Sequence, residues 1–393
     1  MTTRKDVAKL AGVSVATVSN VLSNRLTVSE EKAERVRAAA KQLNYFPNHT
    51  ARSLSLGLSY HIGVIINEFT NPYHMEIVQY VGKYVTAHGF MMTVFDFKED
   101  ANTVCRFLGE RQFDALVNFS SNLYSEELLK MLKERGTILV NFANVSDIEV
   151  HHDVTGAMTD CMRKLSSLGH KKAGYVSLAD APYFYADERG ETFTARRKEF
   201  GFDENDDYIM FNDDMTRESG ETGYVLTKRL MTAHPEITAL FVMNDIAAFG
   251  AMRALRELGY DCPRDVSVIG CDDIILSKEY IPSLTSISFD KEDYGTEIGR
   301  RIISRMREGT DYSGDIYVVK AETVYRESIA ACRDKRYTRE KVREKITAKT
   351  VSFIFWIKFT RVKTPKTNKN YRNSIKFNQK PINQQKKQKL QKS

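Results

Sequence analysis

The chain has 393 residues and 42% hydrophobic side chains, room for two or three domains with sizeable cores. Its 21 Gly and 8 Pro are too few for a long disordered or collagen-like chain, and its five Cys are odd in number and scattered without CxxC spacing. That excludes a disulfide scaffold or structural zinc site and fits a reducing cytosol. The opening Met-Thr-Thr-Arg-Lys-Asp lacks the apolar stretch of a secretory signal, and the most apolar segment, Val351 to Ile357, is too short to span a bilayer. Secreted and membrane readings are thereby excluded, and a cytoplasmic protein is expected.

The net charge of +7 conceals three regions. Residues 333–393 hold 20 Lys and Arg against 3 Asp and Glu, a net +17, and residues 1–60 hold 9 against 4, a net +5. The remainder, 61–332, holds 29 against 44, a net −15. Contact with nucleic acid is therefore expected from an end of the chain.

Residues 3–44 read as three short helices. Thr3 with Asp6 makes a capping-box-like start, and Val7, Ala8, Leu10 and Ala11 supply an apolar stripe. Gly12 permits a tight turn, and Ser14 caps a second helix, Val15 to Leu22, with Val18, Val21 and Leu22 facing inward. Ser29 caps a third, with Glu30 and Glu31 in the first turn where the helix dipole favours acids. Two helices joined by a short Gly-containing turn describe a helix-turn-helix. The outward residues of the second helix, Val15, Ala16, Thr17, Ser19 and Asn20, are small or polar and none is acidic. A generic solvated face would carry Glu and Lys. A face that reads DNA places such residues in the major groove, where an amide reads adenine and a small apolar group meets a thymine methyl.

Asp6-Val7-Ala8-Lys9-Leu10-Ala11-Gly12-Val13-Ser14, then Ala16-Thr17-Val18-Ser19, Leu43-Asn44-Tyr45-Phe46-Pro47-Asn48 and Ala51-Arg52-Ser53-Leu54, closely resemble the LacI/GalR family of bacterial repressors. The resemblance runs from residue 3 to about 330. It implies a DNA-binding set of Ser14, Val15, Ala16, Thr17, Ser19 and Asn20 with Tyr45, Asn48, Ala51 and Leu54. The family often has Arg or His where this chain has Asn20, which bears on operator sequence and not on docking. Residues 47–60 read as a short helix and linker, with Asn48 as cap and Gly57 as stop. So short a helix is unstable alone in water. By resemblance it is the hinge helix that folds on operator DNA, with Leu54 pushed between base pairs in the minor groove.

From His61 onward, β-rich runs alternate with amphipathic stretches. The expected strands are Ile62–Ile66, Met91–Phe97, Ala115–Asn118, Thr137–Phe142, Ala173–Ser177, Tyr208–Phe211, Ala239–Met243 and Val266–Gly270. Such alternation indicates parallel α/β sheets, and the length favours two similar lobes with a cleft between them. No phosphate-loop, nucleophile-elbow or dinucleotide motif is present, and His151-His152 has no further ligand at metal spacing. The pair reads as solvated or ligand-facing, and neither metal nor cofactor is expected. Polar positions expected at strand ends suit a sugar-like ligand: Asn71-Pro72-Tyr73-His74, Arg189, Asn244-Asp245 and Asp272-Asp273. By resemblance, Asn71, Tyr73, Arg189, Asn244 and Asp272 are the effector-binding residues. Cys271 replaces the family's common aromatic, and Thr192 its usual Gly.

After Ser328 the family normally ends. Residues 333–393 are highly charged with little buriable surface, the composition of a disordered tail. The expected architecture is an all-α helix-turn-helix head (1–46), a hinge helix and linker (47–60), an α/β two-lobed periplasmic-binding-protein-like core with parallel sheets (61–332), and a disordered basic tail (333–393). The expected function is a homodimeric, sequence-specific regulator of transcription. It binds double-stranded pseudo-palindromic operator DNA, represses carbohydrate-utilisation genes and answers to a sugar-like effector. The rivals are a small-molecule receptor, opposed by the head, and an α/β sugar-processing enzyme, opposed by the missing catalytic motifs.

Overall fold

The first helix starts where Thr3 and Asp6 predict. The Asp6 carboxylate accepts from the Thr3 amide (2.8 Å) and hydroxyl (2.7 Å), tying down the first turn. The computed structural model describes residues 2–22, 28–45, 58–96, 101–120 and 124–333. The expected hinge residues Asn48, Ala51 and Leu54, and the tail beyond Arg333, lie outside the described residues.

The head comprises α1 (Arg4–Ala11), α2 (Val15–Leu22) and α3 (Glu30–Gln42). Gly12 sits at φ +63°, the left-handed conformation that ends α1 without a Cβ clash. Ser14 Oγ then accepts from the Thr17 amide at 3.1 Å and opens α2. Val7, Ala8, Ala11, Val18, Val21, Ala33, Val36, Ala39 and Ala40 close one small core, with Leu22 and Tyr45 packed against it. Two expectations fail locally. Leu10 is 47% exposed, because Val7, Ala8 and Ala11 centre the buried face about 100° away from it. Ser29 makes no side-chain cap; Glu30 in the first turn pairs instead with Arg37.

The first lobe is a parallel sheet in the order β2 (Met91–Asp96), β1 (His61–Ile66), β3 (Ala115–Asn118), β4 (Ile138–Val140). Its residues alternate between two cores. Ile62, Val64, Ala115, Val117, Ile138 and Val140 meet α4 (Pro72–Ala87) on one face. Ile65, Leu116 and Leu139 meet α5 (Ala101–Glu110) and α6 (Glu126–Glu134) on the other.

The chain then crosses through β5 (Glu149–Asp153) into α7 (Thr155–Ser167), β6 (Ala173–Val176), α8 (Ala181–Ala186), α9 (Glu188–Arg196), β7 (Ile209–Met210) and α10 (Ser219–Ala233). β8 (Ala239–Val242), α11 (Asp245–Leu258), β9 (Ser267–Cys271), α12 (Leu276–Glu279) and β10 (Thr285–Ser288) follow. α13 (Lys291–Glu308) returns to the first lobe, where Ile298 and Ile302 join the core of α4. β11 (Ile316–Lys320) pairs in parallel with β5. β12 (Glu322–Val324) closes the second sheet, β12-β10-β9-β8-β6-β7, parallel throughout except for β12 against β10. Ala321, between β11 and β12, packs against the cores of both lobes, so the crossings sit side by side as a hinge.

All eight expected strands are present, their ends within two residues of expectation. β5, β10, β11 and β12 were not expected. Beyond β12, Ser328 Oγ donates to Val268 O (2.6 Å) and accepts from the Thr285 amide (2.8 Å), and the Cys332 amide reaches Leu168 O (2.8 Å). The second lobe thus holds the chain through Cys332.

Candidate functional site

On the head, Ser14, Val15 and Ala16 are exposed at the start of α2, with Val15 at 41%. Thr17, Ser19 and Asn20 are half-buried along the same helix, while Val18 and Val21 turn into the core. Tyr45 is half-buried against that core. The arrangement is a small packed platform presenting the first turn of α2 with no acidic side chain, a shape and charge compatible with a major groove.

Between the lobes, the predicted polar residues arrive at the starts of helices and the end of β9. Asn71 caps α4, its Oδ1 accepting from the Tyr73 amide at 3.1 Å, and Pro72 occupies the first turn, where no amide is needed. Asn244 caps α11 through Ala247 at 2.8 Å. The side-chain oxygens of both asparagines are therefore engaged in capping. Arg189 lies not at a strand end but in the first turn of α9, whose cap is Asp187. The Asp187 carboxylate grips the guanidinium in bidentate fashion, from Nε at 2.8 Å and Nη2 at 2.7 Å, while Nη1 donates to Met243 O at 2.9 Å. Burial would raise the Asp187 carboxyl, but the charge and hydrogen bonds of Arg189 overcome it and hold the group below its ordinary value.

Asp272 follows β9 at φ +110° and Asp273 at φ +46°, two left-handed aspartates in succession. This backbone is held on every side. The Asp272 amide donates to Ile287 O at 2.9 Å and the Asp273 amide to Ser286 Oγ at 3.0 Å. Arg326 pairs with the Asp273 carboxylate at 2.6 Å, and Lys291 Nζ donates to Asp273 O at 3.1 Å. Asp245 is wholly buried beneath the loop and accepts from the Ile274 amide and from Ser277 and Ser286. Asp245 and Asp273 thus brace the loop, and Asp272 is buried beside them. Burial and the neighbouring Asp245 push its carboxyl well above the usual carboxylate range, against Arg189 and Lys291.

Tyr73, Arg189 and Asp272 come together from the two lobes. The Tyr73 hydroxyl is pushed well up by burial and by Tyr294, Asp272 and Cys271, and Arg189 opposes them. The Tyr73 ring meets Phe289 edge-on at 5.7 Å. Of the residues around them, the sequence offered His151-His152 as solvated or ligand-facing and gave no sign of Phe289 and Tyr294. His152 stacks on Phe289 at 4.6 Å and 7°, its Nδ1 buried without a partner among the described residues. Burial, then the Arg189 charge, push its pKa down to about 4, so the ring is neutral near pH 7. Its neighbour His151 is exposed and pairs with Glu149, as a solvated residue would. Tyr294, which donates to Val150 O at 2.9 Å, completes an aromatic wall.

The lobes also touch directly. Thr70 Oγ1 lies 3.1 Å from Glu218 Oε2, and Ser219 Oγ donates to Glu68 Oε2 at 2.6 Å. Lys291, 3.3 Å from Glu76 on α4, ties that helix to the Asp273 carbonyl. Donors, acceptors and aromatic faces thus converge between the two lobes, an arrangement that suits a small polar ligand. Among the described residues no group of His, Cys, Asp and Glu could hold a metal ion, and no helix is long and apolar enough to cross a membrane.

Residues 3–48 match the family model described as bacterial regulatory proteins, lacI family, and residues 162–329 the model of a periplasmic binding protein-like domain. The HTH-type transcriptional repressor PurR of Haemophilus influenzae (strain PittEE) is 33% identical over 320 residues, covering 78% of this chain and 91% of that protein. PurR of Mannheimia succiniciproducens is 30% identical over 337 residues, covering 84% and 99%. Among solved structures, a lac repressor dimer bound to operator and the anti-inducer ONPF aligns with TM-score 0.67 at 24% identity, covering 84% of this chain and 99% of that one. A complex of the transcriptional regulator CelR with cellobiose aligns with TM-score 0.57 at 23% identity, covering 84% and 100%.

Proposed function

Because the chain belongs to the LacI family of bacterial regulatory proteins, we propose that its interlobe cleft holds a sugar or sugar-derived effector that sets its grip on the operators of carbohydrate-utilisation genes. The protein is a sequence-specific DNA-binding transcriptional repressor answering to a small molecule, and it is not an enzyme. The observation that carries the carbohydrate reading is the meeting of Tyr73, Arg189 and Asp272 beside an aromatic wall. Hydroxyls of a sugar ring find donors and acceptors there, and its C–H face finds Tyr73. The cellobiose complex of CelR supports the same reading.

In this reading Asn71, Tyr73, Arg189, Asn244 and Asp272 serve the effector. Ser14, Val15, Ala16, Thr17, Ser19, Asn20 and Tyr45 serve DNA, joined by Asn48, Ala51 and Leu54 of a hinge helix. The working divisions are a head of residues 1–46, a hinge of 47–60, a core of 61–332 and a tail of 333–393. A homodimer in the cytoplasm presents two heads to a pseudo-palindromic operator, the symmetry of the protein matching that of its site. Effector in the cleft changes the lobe arrangement, and with it the spacing of the heads. The test is fluorescence anisotropy on operator DNA selected from random sequence, with and without mono- and disaccharides. A sugar that shifts operator affinity in the wild type but not in Arg189→Ala supports the reading; sugars without effect on either protein refute it.

A further inference from the structure

We propose that Glu68 and Ser219 form a latch that holds the two lobes together beside the effector cleft, so that this one contact sets the balance between closed and open lobes. The inference rests on the reading of that cleft as the effector site. It starts from the first residues of α10. Glu218 stands in the cap position with extended backbone (φ −64°, ψ 151°), and its side chain does not cap its own helix. A carboxylate comes instead from the other lobe: Ser219 Oγ, on the first residue of α10, donates to Glu68 Oε2 at 2.6 Å. A negative charge brought to the start of a helix meets its positive end. Thr70 sits between the two acids, its hydroxyl 2.9 Å from Glu68 Oε1 and 3.1 Å from Glu218 Oε2. Glu68 is 8% exposed and Ser219 9%, so water competes little for their bond, and a charged acceptor makes it stronger than a neutral one.

Both halves of the latch are anchored beside the cleft. In the first lobe, the Phe69 amide donates to Asp96 Oδ2 at 3.0 Å, at the end of β2. The Asn71 amide donates to Glu68 O at 3.3 Å, just before α4 begins and Tyr73 enters the cleft. In the second lobe, α10 and α11 meet backbone to backbone. A Cβ on Gly223 would lie 2.1 Å from Ala247 O, and one on Gly250 2.0 Å from Gly220 O, so no side chain between the helices can absorb a shift. The first residue of α11 is Asp245, whose carboxylate accepts from the Ile274 amide and from Ser277 and Ser286 and so holds the loop of Asp272. The latch therefore joins the support of Tyr73 to the support of Asp272. A ligand held by both residues favours the latched arrangement, and the latch in turn strengthens the ligand's hold.

Hydrogen exchange of the full-length protein, read by mass spectrometry over residues 66–72 and 216–224, tests the latch without any ligand. Ser219→Ala is expected to speed exchange roughly tenfold at the start of α10 and also at the Phe69 and Asn71 amides of the other lobe. Glu68→Ala is expected to do the same in the opposite direction, reaching α10 from the first lobe. The double variant is expected to add nothing to the larger single effect. Should Glu68→Ala fail to fold, Ser219→Ala and Thr70→Val carry the comparison. Substitutions that speed exchange only within their own lobe, or whose effects multiply in the double variant, overturn the latch.

Calorimetry with cellobiose, D-glucose and D-ribose separates the latch from the reading on which it rests. A sugar that binds the wild type is expected to bind Ser219→Ala more weakly, by up to about tenfold. Equal binding overturns the latch and leaves the carbohydrate reading standing. If none of the three binds the wild type, the carbohydrate reading falls, and the exchange measurement still decides the latch.

Discussion

Replacing Asp187 by Ala strikes the residue on which the cleft is built. Its carboxylate makes two bonds to the Arg189 guanidinium and caps α9 through the Arg189 amide at 3.0 Å. The pair is largely buried, with side-chain exposures of 17% for Arg189 and 14% for Asp187. Removing one partner of such a pair leaves a buried charge uncompensated, at a cost of about 3–5 kcal/mol. Loss of the cap adds about 1 kcal/mol. The sum approaches the whole stability of an ordinary domain, roughly 5–15 kcal/mol, and corresponds to a fall in Tm of about 10 °C or more. Asp187→Asn preserves the cap and one acceptor, and loses less. Arg189→Ala combined with Asp187→Ala removes both charges, so the double variant is expected to be more stable than the sum of the single losses by about 2–3 kcal/mol. Urea denaturation of the four variants beside the wild type measures each term. A loss below about 1 kcal/mol for Asp187→Ala, with strict additivity in the double variant, would refute the assignment of this pair as the frame of the cleft.

Changing Val15, Ala16 and Asn20 together is expected to alter the preferred operator, each lost base contact costing about 1–3 kcal/mol; identical selections from random DNA for variant and wild type would contradict this. Burial raises the Asp245 carboxyl to about 7, so the folded state binds its proton more tightly than the unfolded chain, and stability falls as pH rises from about 4 to 7. Asp245→Asn should remove that fall, seen as a flatter midpoint-versus-pH curve above pH 5. His152, pushed down to about 4, acts in the opposite sense: its contribution is present above about pH 6.5 and lost on acidification toward 4, a loss that His152→Phe should abolish. A chain ending at Cys332 should fold and keep its operator preference while losing nonspecific DNA affinity and its steep salt dependence, because the +17 of residues 333–393 acts on phosphates by counterion release. Gel shifts on operator and scrambled DNA across a salt series decide it, and loss of operator choice on truncation would show the tail to be a working part.

The head was legible because its signals are local. The Thr3–Asp6 spacing, Gly12 and Ser14 each act within one helical turn, and each does in the structure what its position predicts. The strands of both sheets were legible where they are buried on both faces and read as apolar runs. β5 was not: Glu149-Val150-His151-His152-Asp153 is polar because a two-stranded hinge buries only part of its surface, and its partner β11 lies more than a hundred residues away. The cleft was half legible. Tyr73, Arg189 and Asp272 stood out as polar residues and by resemblance, whereas which histidine of the His151-His152 pair turns inward is legible only once Phe289 is stacked on His152. Asp187 reads as an ordinary N-cap until the Arg189 side chain folds back on it, and the bracing roles of Asp245 and Asp273 depend on Ser277, Ser286 and Arg326 arriving from elsewhere in the chain.

The central claim is that cleft and operator are coupled in one molecule, and reciprocity tests it most directly. Effector affinity measured by calorimetry, with and without a saturating operator duplex, gives one coupling factor. Operator affinity measured by anisotropy, with and without saturating effector, gives another. The two factors are expected to agree, at about 5–150-fold, and to vanish together in Arg189→Ala. An effector that binds the cleft with the same affinity whether or not operator is present would contradict the account.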